Sequence, residues 1–483
     1  MNWKRLKRVL QYHGLGGIFY RAWRRCVMRA GEPTAARIEE LKSKLPSSPE
    51  SYSNTFFFQP RISIVLPVCD PPLDFLQKAI QSVVAQVYSN WELCVVDDAS
   101  SNPEIYQELV RWSNIDQRIR VKFRSDRGHI ARASQDALNM ATGEYVALLD
   151  HDDILPHHAL YSVVQYLQGS KRPEILYSDE ATINEAGVCT GYFEKPKWSP
   201  MYFRSFMYVG HLTVYERCLL EEVGGFREGF DGSQDYDMLL RAAAKASLIC
   251  HIPEVLYYWR AHSGSVAQQI EAKEYAFENA LRALQEQVDS EIGVGKIVVS
   301  HGPYPGTYRY RQVTGSVYWL SASELRLEKL QNNSSPYIGI VSPAVTPPED
   351  AALLELIAPL AFSSVGVVAP LLVSKKNRRR VVSAGRSRHG QSFRDNLAGF
   401  STFEGGPGHR LYVAAEVEGL CEDCLVLTRE LLVQFLECGF QGEPLFASQL
   451  CEFVHSAGKS CVVVPSVRVR VASDSVESSF VRH

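Results

Sequence analysis

The sequence predicts an α/β protein built on a mixed sheet flanked by helices. Short apolar, β-branched runs recur at residues 62–66, 93–96, 119–123 and 145–149. Helical patterns separate them: Leu73, Leu76, Ile80, Val83 and Val84 follow the first run at helical spacing, and residues 131–140 form a helix before the fourth. Acids collect where the runs end, with Asp70 after the first, Asp97 and Asp98 after the second and Asp150 to Asp153 after the fourth. Strands alternating with helices indicate a largely parallel sheet, and such sheets bind ligands beyond the carboxyl ends of their strands.

The first run stops at Pro67, and the acids follow it. Beyond 149 the pattern continues with a helix at 157–168, a strand at 175–178 and an aromatic segment holding Tyr192, Phe193, Trp198, Tyr202, Phe203 and Phe206. A strand at 209–215, a Gly224-Gly225-Phe226 turn, a helix at 235–246 and a last strand at 254–260 complete this half.

Composition bounds the function. At 483 residues the chain exceeds one ordinary core, so two domains with extensions are expected. The net charge of −3 argues against a nucleic-acid partner. Eleven scattered cysteines form no disulfide framework and indicate a reducing, cytoplasmic compartment. Cys421-x-x-Cys424 lacks two further ligands at matching spacing, so small apolar core residues are the expected role. No apolar run is long enough to span a bilayer, and the N-terminus lacks the apolar stretch of a secretory signal.

The division expected is fourfold. Residues 1–59 are a basic amphipathic segment and linker. Residues 60–290 form the main domain, 291–330 a connector and 331–483 a smaller α/β domain. Lys4, Arg5, Lys7, Arg8, Arg21, Arg24, Arg25 and Arg29 precede the first acid, Glu32. Leu6, Val9, Leu10, Phe19, Trp23, Cys26 and Val27 line one face. Such a segment suits lying on an anionic membrane surface or packing on the main domain.

Three motifs carry chemistry. Asp150-His151-Asp152-Asp153 places hard oxygen ligands at a strand end, suited to Mg²⁺ or Mn²⁺; an acidic surface turn is the competing reading. Val95-Val96-Asp97-Asp98-Ala99-Ser100 offers an acceptor for a nucleobase N–H or ribose hydroxyl, or else a helix cap from Asp98 or Ser100. Gly232-Ser233-Gln234-Asp235-Tyr236-Asp237 offers a general base, while Asp237 suits a structural role in the first turn of a helix.

In this order, the three motifs resemble those of the family-2 glycosyltransferases of the GT-A fold, the bacterial surface-polysaccharide (O-antigen and capsule) type. The resemblance runs from Pro60 to about Ala267. It includes Gln86-Val87-Tyr88-Ser89-Asn90-Trp91, Gly143-Glu144-Tyr145 and Tyr258-Trp259-Arg260-x-His262-x-Gly264-Ser265. It implies that Pro67 and Val68 meet the nucleobase, that Asp98 binds the imide, and that Asp150 opens the DxD element on the nucleotide. Asp152 matches the metal ligand and Asp235 the catalytic base. His262 matches a position that approaches the metal or diphosphate, against a structural role. Trp198 either lines the acceptor site or packs the domain. Gln234 replaces the usual Glu before the base, and Gln135 the usual Asn.

The later half repeats part of the first. Residues 145–156 align with 337–348, so that Ser342 stands for Asp150 and Ala344 for Asp152. Residues 213–241 align with 425–453, where Ala447 stands for Asp235. A degenerate GT-A-like domain is expected, serving packing, acceptor recognition or a homodimer contact. The resemblance thus implies inverting transfer of a sugar from a UDP or dTDP donor to a lipid-carrier-linked or polysaccharide acceptor. The alternative is a non-catalytic nucleotide-sugar- or glycan-binding scaffold of an assembly complex.

Overall fold

The computed structural model describes residues 56–261 and 274–472, apart from 344, 390–391, 404–405, 407–408 and 440–445. The basic N-terminal segment, Ala344 and His262 lie outside the described residues. The chain folds as two compact units, the first within residues 1–197, 209–228 and 245–273, the second within 198–208, 229–244 and 274–483.

The first unit opens with β1 (Ile62–Val68), α1 (Leu73–Val84), β2 (Trp91–Asp97), α2 (Pro103–Ile115), β3 (Ile119–Phe123), α3 (His129–Met140), β4 (Tyr145–Leu148) and α4 (Ala159–Tyr166). β5 (Ile175–Ile183) and β6 (Cys189–Phe193) follow. After α5 (Pro200–Ser205), which belongs to the second unit, come β7 (Thr213–Glu216) and α6 (Arg217–Glu222). α7 (Gln234–Ala243) also belongs to the second unit, and β8 (Ile249–Arg260) returns to the first.

The sheet order is β3-β2-β1-β4-β7-β5-β6, with β8 on β5. β1 to β4 run parallel, β7 is antiparallel to β4 and β5, and β8 is parallel to β5. β1 and β2 are buried throughout, as central parallel strands covered on both faces are. The mixed α/β sheet of the sequence reading is therefore present.

One polar side chain is built into this core. Glu92, fully buried on β2, accepts from Ser63 Oγ at 2.6 Å, from Thr142 N–H at 2.6 Å and from Thr142 Oγ1 at 2.8 Å. Arg120 approaches it at 3.1 Å. Burial alone would raise this carboxyl, but the donors and Arg61 prevail and hold it down to about 2.

Three local details depart from the sequence reading. β5 runs on through Asp179 and Glu180, because Lys195 and His251 provide buried partners for those acids. β7 starts at Thr213 rather than 209, because residues 209–211 turn their carbonyls and amides to side chains. α2 is capped by Asn102, which accepts from Glu104 N–H; neither Asp98 nor Ser100 caps it.

The second unit continues with α8 (Glu274–Ile292), the hairpin β9 (Ile297–His301) and β10 (Tyr308–Gln312), β11 (Val317–Leu320), α9 (Leu327–Gln331) and β12 (Tyr337–Val341). Then come α10 (Asp350–Leu356), β13 (Val365–Ser374), β14 (Val381–Ser383), β15 (Arg386–His389), β16 (Ser392–Asp395) and β17 (Ala415–Val417). β18 (Cys424–Thr428), α11 (Arg429–Glu437), α12 (Phe446–Ser456) and β19 (Ser460–Val471) close it.

Its sheet order is β11-β12-β18-β13-β19-β17. β11 is parallel to β12, β18 antiparallel to β12 and β13, and β19 parallel to β13. These relations repeat β1-β4-β7-β5-β8 strand for strand. The same succession of parallel and antiparallel pairings thus occurs in both units. β11, which falls in the expected connector, takes the place of β1. Among the described residues no helix is long and apolar enough to cross a membrane.

Candidate functional site

The parallel strands set the site. β1 pairs with β2 out to Val68 opposite Asp97, whereas its last partner on β4 is Leu148, opposite Val65. Pro67 therefore lies beyond the end of the β4 ladder, where its missing N–H costs no hydrogen bond on that side. The ends of β1, β2 and β4 bring Pro67, Val68, Asp98 and Asp150 to one edge of the sheet.

Asp98 is buried and its N–H donates to Val68 O at 2.8 Å. Its Oδ1 accepts from Gly128 N–H at 2.8 Å and meets Arg124 Nε at 2.9 Å. Arg124 also pairs with Asp136 on α3. Asp98 is thus held in place by a loop amide and a guanidinium. Asp97 beside it accepts from Ser100 N–H at 3.2 Å through Oδ2.

The loop after β4 divides its three acids by environment. Asp153 is buried; Tyr257 donates its hydroxyl to Oδ2 at 2.7 Å, and Arg260 N–H donates to Oδ1 at 2.7 Å. Burial, with Asp150 and Asp152 nearby, pushes its carboxyl well above the usual carboxylate range. The same Tyr257 oxygen accepts from Asp150 N–H at 3.2 Å. Asp150 itself turns outward, its side chain 42% exposed. Asp152 is half-buried, and its carbonyl accepts from Arg260 Nε at 2.8 Å.

His211 completes the cluster. Its ring stacks on Tyr257 with centroids 4.6 Å apart and 19° between planes, and its Nε2 lies 3.8 Å from Asp150 Oδ2. One ligand atom each from Asp150, Asp153 and His211 falls within 4.8 Å of the others, which is the one such group of three among the described residues. Two carboxylates and an imidazole fit Mn²⁺ or Mg²⁺ together with phosphate oxygens. This group contains Asp150 and Asp153 of the acidic motif, rather than the expected ligand Asp152, and adds His211, which no sequence motif singled out.

The other expected residues stand on other elements. Asp235 stands in the first turn of α7, in the second unit, with Oδ1 accepting from Tyr236 N–H at 2.8 Å. Asp237 is buried and pairs with Arg241 at 2.7 Å, which is the structural role read for it. Trp198, also in the second unit, lies 5.0 Å from Phe203, ring centroid to centroid. Gln135 is used locally: its Oε1 accepts from Phe226 N–H at 2.7 Å, securing the Gly224-Gly225-Phe226 turn.

His211 and Tyr257 carry no sequence signal. Each sits in or next to an apolar run, far along the chain from Asp150. Only the order β4-β7-β5-β8 brings them to it.

Comparison with known proteins matches residues 63–178 to the family described as glycosyl transferase family 2. A protein of Sinorhizobium fredii, y4gI, is 42% identical over 299 residues, which is 61% of this chain and 32% of that one. The O-antigen biosynthesis protein RfbC of Myxococcus xanthus is 37% identical over 253 residues, 52% of this chain and 20% of that one. The chain therefore spans a third or less of the length of these relatives. Among solved structures, S. aureus TarS 1–349 in complex with UDP-GlcNAc aligns at 19% identity, covering 47% of this chain and 66% of that one, with a TM-score of 0.40. Residues 63–178, the strands and loops that carry Asp98 and Asp150, are thus the part of this chain that is similar to glycosyl transferase family 2.

Proposed function

We propose that this chain is an inverting glycosyltransferase of bacterial surface-polysaccharide synthesis. It takes a UDP- or dTDP-linked sugar and delivers it to a hydroxyl of a lipid-carrier-linked or polysaccharide acceptor. The observation that carries this reading is the gathering of Asp98, Asp150, Asp153 and His211 beyond the carboxyl ends of the strands of a family-2 segment. The similarity to the O-antigen biosynthesis protein of M. xanthus supports the O-antigen context.

In this reading Pro67 and Val68 flank the nucleobase, and Asp98 accepts from its imide N–H. Asp150, Asp153 and His211, with Asp152 and His262 as further ligands, hold Mg²⁺ or Mn²⁺. Such a cation neutralises the charge of the diphosphate leaving group. Asp235 accepts the proton of the acceptor hydroxyl. The hydroxyl oxygen bonds to the anomeric carbon as the bond from that carbon to the diphosphate oxygen breaks, releasing the nucleoside diphosphate. One base and no covalent intermediate give inversion. Trp198 offers an aromatic face to the acceptor sugar, and the basic residues of the first thirty-one place the chain on the cytoplasmic face of the inner membrane.

The test is nucleotide release and sugar transfer across a donor panel, with Asp235→Asn and Asp152→Ala alongside. Losses of about 10²-fold or more in both are expected. Wild-type turnover in both variants refutes the roles given to them. Nucleotide-sugar binding without turnover on any acceptor favours a scaffold instead.

A further inference from the structure

Lys195, in the first unit, has a completely buried side chain. An ammonium in that setting costs several kcal/mol unless its donors are matched. Here all three are. Nζ donates to the carbonyl of Val209 at 2.5 Å and to the carbonyl of His211, and it pairs with Glu180 Oε2 at 3.0 Å. Glu180 closes the ring, because the same Oε2 accepts from His211 N–H at 3.1 Å. Leu212 N–H donates to Ser178 Oγ at 3.3 Å, and Lys195 N–H to Asp179 Oδ1 at 2.8 Å.

The chain between these anchors is shaped for close approach. Gly210 has φ +46°, and a Cβ there would lie 3.0 Å from Glu180 Oε2. The clamped residues include His211, whose ring is held from the other side by Tyr257 beside Asp150 and Asp153.

We propose that Lys195 and Glu180 are positioning residues that set the backbone of His211 and thereby aim its imidazole at the cation site of Asp150 and Asp153. This rests on the reading of that cluster as a cation site. The pair, with Lys195 fully buried and Glu180 mostly so, does not touch the donor; it acts through His211. Buried ionic groups that fix one geometry rather than add stability are a known use of such pairs, and groups behind a ligand commonly set its affinity.

The experiment is titration of the full-length chain with Mn²⁺ alone, read by electron paramagnetic resonance, for wild type, Lys195→Met, Glu180→Gln, His211→Ala and the Lys195→Met/His211→Ala double variant. Thermal melts check folding. Lys195→Met is expected to weaken Mn²⁺ binding about 10–100-fold, to the level of His211→Ala, with no further loss in the double variant. If Lys195→Met does not fold, Glu180→Gln takes its place in the cycle. Additive losses, or wild-type affinity in Lys195→Met and Glu180→Gln while His211→Ala binds weakly, overturn the clamp and leave the cation site standing. No binding by the wild-type chain, or full binding by His211→Ala, overturns the cation site and the clamp with it.

Discussion

Tyr257 donates its hydroxyl to Oδ2 of Asp153 at 2.7 Å, and both side chains are buried. That bond ties the end of β8 to the loop after β4. The same oxygen accepts from Asp150 N–H, so one hydroxyl orders two of the three acids. Tyr257→Phe leaves the ring stacked under His211 and removes only the hydroxyl. We expect a loss of about 1–3 kcal/mol in urea unfolding, since a buried carboxylate loses a donor. An unchanged midpoint would show that the hydroxyl carries no stability.

Asp98 makes a second prediction. Its carboxylate is fixed by Gly128 N–H and Arg124. Asp98→Ala removes the proposed acceptor for the base and leaves Arg124 paired with Asp136 alone. UDP affinity by calorimetry is expected to fall about 10–100-fold, the equivalent of one hydrogen bond to a charged group. Equal affinity in the variant would place the base elsewhere.

Glu92 predicts the acid response of the first unit. Its folded carboxyl is held down to about 2, below its range in an unfolded chain. A depressed carboxyl contributes its full stabilisation above the unfolded range and loses it as the pH falls toward about 2. The contribution is about 3 kcal/mol at most. Acid titration followed by circular dichroism should show this loss in the wild type, and Glu92→Gln should flatten it. An identical acid midpoint in the two proteins would contradict the assignment.

In the second unit, buried Glu416 accepts from Ser199 Oγ and from the N–H groups of Met201, at 2.8 Å, and Tyr202, at 3.4 Å. It secures the start of α5, next to Trp198. Burial pushes its carboxyl up despite these donors. Glu416→Ala leaves two backbone donors without an acceptor. Hydrogen exchange at Met201 and Tyr202 should quicken by about 10–100-fold, corresponding to about 1–3 kcal/mol. Unchanged exchange would mean that α5 holds without it.

Much of the fold was legible because strand patterns are local. A run such as 62–66 or 119–123 is apolar and β-branched wherever the rest of the chain goes, and the acids that follow it mark its carboxyl end. The strands at 337–341 and 424–428 were legible for the same reason, since their apolar spacing does not depend on acids following them. The extension of β5 through Asp179 and Glu180 was not legible. Two acids in a row oppose a strand until buried Lys195 and His251 meet them.

The sequence by itself determined which strands end in carboxylates and which motif follows which, because periodicity and short-range composition are properties of neighbouring residues. Tertiary structure alone decided that Asp153 turns inward to Tyr257 and Arg260, that Asp150 turns outward to His211, and that Lys195 is buried. The physical reason is that Asp153 and Asp150 depend on partners far along the chain, on β8 and just before β7, while Lys195 is enclosed by strands and turns whose pairing is tertiary; all are brought together only when the antiparallel β7 is placed between β4 and β5.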